Sequence, residues 1–332
     1  MTVFACARCG AVVTGPLREV ALPAHAHQER DGHRYMPVLM EPRTFAVDPE
    51  PWGPPWRPWA GLGEAEAAAL GVFAPVPYVS LAAPGAVLMA PGDTRGTVLL
   101  PEELDGCCAA GGGPNLACAG CGAVVGSQTD DCYAWQTVWL DAPAVRRLAS
   151  TNAPEEDSWP GPTEPVEPDG WWSDRWRASA GIALAHLLAA SEGEPVALPA
   201  GLVTEMFGRA LARLLPAGPP VRRLALAGPG LDPGAGAGAE ILLVPRHPRT
   251  GEPWRPPGGA APVPLDAGVW AHLARPPARS TPRLPPGVER DDPLPLRPMR
   301  LFEPQYRLTV DRLARMPAVR EPWLRAIHDT LL

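Results

Sequence analysis

Four of the chain's cysteines fall in two copies of one phrase. CARCGAVVTG at residues 6–15 and CAGCGAVVGS at residues 118–127 agree at seven of ten positions. A C-x-x-C-G turn lets two thiolates point to one side, and glycine relieves the backbone where amides approach sulfur. One such turn cannot close a tetrahedral site, but two can. Cys6, Cys9, Cys118 and Cys121 are therefore expected to share one structural zinc. Two other readings are open. A redox C-x-x-C sits at a helix start, whereas both pairs here run into Gly and Val. A local cluster could instead draw on the adjacent Cys107 and Cys108, which otherwise read as small buried residues beside the glycines 111–113.

Fewer signals surround the remaining reactive side chains. His25, His27 and His33 lie close together in AHAHQERDGHRY, and His-x-His on a strand is a spacing that metals use. No neighbouring pattern supplies further ligands, so a solvated loop competes with a second metal site. The glycine-rich stretch GPGLDPGAGAGAE runs into the apolar strand Ile241-Leu-Leu-Val rather than into a helix, so it reads as a flexible hairpin connection and not as a phosphate loop. Asp311, His328 and Asp329 are the acid and base candidates near the C-terminus, and with nothing linking them they read as surface residues.

Two C-x-x-C-G knuckles far apart in sequence, each opening a hairpin, resemble the β-tent group of zinc domains. That group includes the Yippee proteins, the thalidomide-binding domain of cereblon and, more distantly, methionine-sulfoxide reductase B. The resemblance implies two antiparallel sheets pinned at their apex by zinc, spanning about residues 1–150. The reductase version needs a later catalytic thiol. Cys132 follows Cys121 by eleven residues and lacks the surroundings of that thiol, so no catalysis is carried over.

The segment Cys132-Tyr-Ala-Trp-Gln-Thr-Val-Trp-Leu140 alternates as a strand, with Tyr133, Trp135, Thr137 and Trp139 on one face. Either this stripe is core packing, or Trp135 and Trp139, with Tyr133, floor a small-ligand pocket comparable to the aromatic cage of the cereblon relative. Residues 49–59, PEPWGPPWRPW, should be extended and polyproline-like, projecting Trp52, Trp56 and Trp59 across the stripe or towards another protein. Around them Tyr35–Val47, Ala86–Met89 and Thr97–Leu100 read as short strands and Glu64–Leu70 as a small helix.

These pieces need a frame. At 332 residues the chain is long enough for two modest domains, and 12 tryptophans with 46% hydrophobic residues set it apart from a disordered polymer despite 46 prolines. Residues 151–170 are acidic and proline-rich and read as a linker between a zinc-knuckle β domain, 1–150, and a helical α+β domain, 171–332. In the second domain Asp174–Ala190, with Ser173 as N-cap, and Leu202–Leu215 read as amphipathic helices, Leu224–Ala227 and Glu240–Val244 as strands, and 276–299 as a proline-rich wrap. Helices near Gln305–Arg315 and Val319–Leu332 close the chain, burying Leu308, Val310, Leu313, Trp323, Ile327 and Leu331. The class is α+β, mainly antiparallel β first and helix-rich second.

The net charge of −7 argues against nonspecific nucleic-acid binding. Residues 271–332 carry 11 arginines against 7 acids, leaving 18 against 29 in the rest, so the tail faces either an acidic partner or the chain's own acidic body. No run approaches the ~18 apolar residues of a membrane span, and reduced C-x-x-C pairs suit the cytoplasm. Two functional classes follow. One is a noncatalytic zinc-stabilised binding protein that takes a small molecule, peptide or protein partner. The other is an enzyme with a pocket between the halves, using Cys or His chemistry.

Overall fold

A computed structural model describes residues 1–29, 36–100, 114–129, 132, 134–148, 159–167, 170–256, 258–276 and 300–332. Cys107, Cys108, Tyr133, His33, Tyr35, residues 151–158, 168 and 169, and 277–299 lie outside the described residues. The class is α+β with mainly antiparallel pairing. The chain divides into two compact units, Met1–Ser158 with Pro248–Gly251, and Trp159–His247 with Glu252–Leu332.

The first unit contains β1 (Val3–Cys6), β2 (Arg18–Glu19), β3 (Thr44–Val47), β4 (Trp56–Pro58), helix α1 (Glu64–Ala69), β5 (Tyr78–Ser80), β6 (Val87–Met89), β7 (Thr97–Leu99), β8 (Leu116–Cys118), β9 (Val124–Thr129), β10 (Thr137–Leu140) and β11 (Val145–Leu148). A seven-stranded sheet runs in the order β2-β3-β6-β10-β9-β8-β7, and all its pairs are antiparallel except β2 with β3. Its central strands are apolar on both sides because each face carries a core. Phe45, Val87, Met89, Val138 and Leu140 point to one core, while Ala46, Leu88 and Trp139 point to the other, as period-two geometry requires. The separate pair β1–β11 adds Phe4, Cys6 and Val145 to the first core, and Phe4 meets Phe45 edge-on at 5.1 Å.

Several expected strands are shorter. Among the described residues, only Thr44–Val47 of the 35–47 stretch and Thr137–Leu140 of the 132–140 stretch are strand. The proline-rich segment stays extended in part, but Trp56–Pro58 pairs with Tyr78–Ser80 instead of standing as a lone rod, and Trp59–Gly61 turns into a 3-10 helix.

The second unit holds α2 (Asp174–Ser191), β12 (Val196–Ala197), α3 (Leu202–Leu214), β13 (Arg222–Leu226), β14 (Ile241–Pro245), β15 (Ala261–Leu265), α4 (Ala267–Ala274), α5 (Tyr306–Ala314) and α6 (Pro322–Leu331). Its sheet, β12-β13-β14-β15, is parallel throughout. This overturns the hairpin reading of the glycine-rich connection. Parallel partners need a crossover, and residues 227–240 make it with one 3-10 turn at Pro233–Gly236, capped by the Asp232 carboxylate.

Helix α2 also departs from expectation. It is buried on most of its circumference rather than amphipathic, and the Ser173 side chain makes no capping bond. Its small residues permit this. At Gly181 a Cβ would press on the Gln305 carbonyl, and Thr309 Oγ1 donates to the Gly181 carbonyl oxygen at 2.9 Å. Helix α3 buries Val203, Met206, Phe207, Ala210 and Leu211, the stripe that a 3.6-residue period dictates.

Candidate metal centre

The two knuckles repeat one another bond for bond. In the first, the Cys6 amide donates to the Ala11 carbonyl at 2.8 Å and the Gly10 amide to the Cys6 carbonyl at 2.9 Å. In the second, Cys118 donates to Ala123 and Gly122 to Cys118, both at 2.8 Å. Gly10 and Gly122 take φ of 79° and 69°, the left-handed backbone that explains a glycine after each C-x-x-C.

The partner strands repeat too, with an exchange. Ala7 donates to Ala144 and Ala119 to Gly96, both at 2.9 Å, and these acceptors are the residues just before β11 and β7. Cys6 pairs with Val145 of β11 and Cys118 with Thr97 of β7, so the first knuckle leans on β11 and the second on β7. Strand β7 precedes the second knuckle in the chain, and β11 follows it. Each half therefore lends its last strand to the other half's knuckle, and neither can be completed alone.

This arrangement brings together the four cysteines that their spacing singled out. Their sulfurs all lie within 4.8 Å of one another, close enough to hold one metal ion, and no other such group occurs among the described residues. Two close separations cross between knuckles, with Cys9 Sγ 3.7 Å from Cys118 Sγ and Cys6 Sγ 3.8 Å from Cys121 Sγ. Cys6 and Cys118 are buried at the end of the first core, Cys121 is half-buried, and Cys9 is exposed.

The thiols divide their protons unequally. The Cys9 amide, working against burial and aided by the Arg8 amide and the Cys121 and Cys9 side chains, lowers the Cys6 thiol to about 7. For Cys9 the Ala11 amide lowers the value, but Cys121, lost hydration, Cys118 and Cys6 outweigh it and raise the thiol to about 11. Four sulfurs this close cannot all ionise without a cation among them.

The other candidates are placed differently. Trp135 and Trp139 are half-buried against the second core, and the Trp135 indole donates to Gln28 Oε1 at 3.3 Å. His33 lies outside the described residues, and among the described residues His25 and His27 belong neither to a solvated loop nor to a group that could hold a metal. His25 is buried, with its ring 4.5 Å from Trp135. His27 stacks on Trp52 at 4.1 Å and 9°, and its other neighbour is Trp139 at 5.9 Å. The tryptophan-proline segment thus reaches the stripe through an interposed imidazole. His27 Nε2 lies 2.7 Å from Oδ2 of fully buried Asp48, whose Oδ1 accepts the Glu50 amide at 3.0 Å. Sequence reasoning missed this pair because nothing local marks it.

Near the C-terminus, His328 is fully buried rather than on the surface, with Nδ1 3.0 Å from Asp329 Oδ1. Cys132 is buried and away from the four-sulfur group. No helix among the described residues is long and apolar enough to cross a membrane. In comparisons with known proteins, no family model matches the chain, and no curated protein or solved structure is measurably similar to it.

Proposed function

We propose that the first unit is a zinc-stabilised module and that the protein is a noncatalytic binding or interaction protein built around it. The observation that carries this reading is the convergence of Cys6, Cys9, Cys118 and Cys121. At a Zn–S distance of about 2.3 Å, tetrahedral geometry sets sulfurs about 3.8 Å apart, and four thiolates are a soft donor set. The cross-knuckle separations of 3.7 and 3.8 Å fit that edge. Two knuckles at the ends of antiparallel hairpins also support the β-tent likeness. Bound zinc would join the two halves and add its binding energy to their folding.

A ligand in this reading is a small molecule or peptide meeting the aromatic layer of Trp135 and Trp139. The second unit, set off near residues 151–170, would serve a protein partner, and the reduced thiols suit a cytoplasmic setting. Elemental analysis combined with thermal melting tests the metal. One zinc per chain is expected, with loss of the first unit's transition on chelation. A folded, reduced chain without stoichiometric metal would overturn the reading.

The enzyme reading draws on one observation. A buried carboxylate orients the His27 ring, which keeps 18% of its side chain exposed. Turnover of an activated ester that disappears in His27→Ala, at unchanged metal content, would favour it.

A further inference from the structure

We propose that the thiol centre is an oxidation site for hydroperoxides, in which Cys9 reacts first and then forms a disulfide with Cys118. This inference rests on the zinc reading above, because the disulfide would take two of the ion's four ligands and its release is what reports the reaction.

Three features single out Cys9. It is the exposed member of the set, whereas Cys6 and Cys118 have no exposed surface and Cys121 is half-buried. Two arginines flank its turn. Arg8 is exposed next to it in the chain, and Arg146 lies so close to Gly10 that a Cβ there would sit 2.8 Å from its Nη2. Finally, Cys118 Sγ waits 3.7 Å away, across the gap between the halves.

The chemistry balances with the peroxide as sole oxidant. The Cys9 thiolate attacks the outer peroxide oxygen and the O–O bond breaks. The alkoxide or hydroxide that leaves takes up a proton. Cys9 is then a sulfenic acid, two electrons poorer. The Cys118 thiolate attacks its sulfur, the S–S bond forms, the S–O bond breaks, and hydroxide departs and is protonated to water. Two thiolates, one hydroperoxide and two protons become one disulfide, one alcohol or water, and one further water. The ion keeps two ligands, Cys6 and Cys121, too few for a closed site, and is released.

The pairing is the distinctive claim. A C-x-x-C turn acting as a redox motif would join Cys6 to Cys9, whereas the proposed bond crosses between the knuckles, where Cys9 Sγ and Cys118 Sγ are 3.7 Å apart. The full chain, purified reduced and assayed for metal, is treated with hydrogen peroxide while a chromogenic chelator reports zinc release. Free thiols are then alkylated and the disulfide is mapped after trypsin, which cuts after Arg8 and so separates Cys6 from Cys9. The expected result is one zinc released per Cys9–Cys118 disulfide formed, with both reversed by a thiol reductant and added zinc. Arg146→Gln, which keeps all four ligands, should slow release about 3-fold or more, as loss of one charged partner to a leaving group would. A Cys6–Cys9 disulfide, or zinc retained while other cysteines oxidise, would overturn the proposal and leave the zinc reading intact. A chain that never held zinc would instead sink the zinc reading, and this inference with it.

Discussion

His27 Nε2 sits 2.7 Å from the Oδ2 atom of Asp48, a carboxylate with no exposed surface, while the His27 ring is stacked on Trp52. One side chain thus satisfies a buried acid and anchors the tryptophan-proline segment. Removing it in His27→Ala would leave the carboxylate short of a partner, at a cost of about 1–3 kcal/mol. Urea unfolding of the first unit should show that loss, and acrylamide should quench Trp52 more strongly than in the parent chain. An unchanged midpoint would mean that water replaces the imidazole without penalty.

Gly126 lies opposite Leu140 where β9 pairs with β10, at the irregular register between β8 and β9. A Cβ there would fall on the Trp139 carbonyl oxygen and 2.8 Å from Leu140 Cα, both backbone atoms of a central strand. Gly126→Ala should destabilise the first unit by about 1–3 kcal/mol, the usual cost of overpacking. Denaturant titration would read it directly, and a neutral result would show that β9 can slide away from β10.

Cys118→Ser tests the centre itself. Structural zinc in small peptides contributes on the order of 10 kcal/mol, so loss of a buried ligand should abolish stoichiometric metal and the cooperative unfolding of the first unit. Cys132→Ser changes a buried thiol outside the cluster and should leave metal content at the parent value. Equal metal loss in both variants would argue against the four-cysteine assignment.

In the second unit, burial, reinforced by Arg312 and Arg246, lowers His186 on α2 from 6.5 to about 4. Between those values the unfolded chain binds a proton that the folded chain refuses. Stability is therefore whole above about pH 6.5 and declines as the pH falls towards 4, by at most about 3 kcal/mol. His186→Gln should flatten that limb, and the difference in unfolding free energy between parent and variant at pH 7 and pH 4.5 measures it. The same difference at both pH values would exclude His186 as the source.

The knuckles were legible because thiolate chemistry fixes their spacing locally, and the Gly after each pair betrays a left-handed turn. The alternation of Val138, Trp139 and Leu140 was legible for the same reason, since period two is a property of one strand. What failed was long-range. His27 owes its place to Asp48 and to Trp139, more than a hundred residues on, and neither marks its neighbourhood in sequence. The direction in which β13 and β14 pair depends on where a glycine-rich crossover travels, and its composition suits a hairpin equally well. Helix α2 looked amphipathic because alanine reads as neutral, yet alanine and glycine on its outer side are what let α5 close over it.

The exchanged strands have a consequence for the order in which the unit is made. Cys9 and its neighbour Cys118 are 109 positions apart, which at about 5–20 residues per second is roughly 5–20 s of synthesis. Through that interval the site has two of its four thiols, and the first knuckle has no β11 to lean on. Such distant pairing closes slowly even in a finished chain. The nascent first half must therefore be kept reduced and unaggregated by something other than its own fold until β11 at residues 145–148 has emerged.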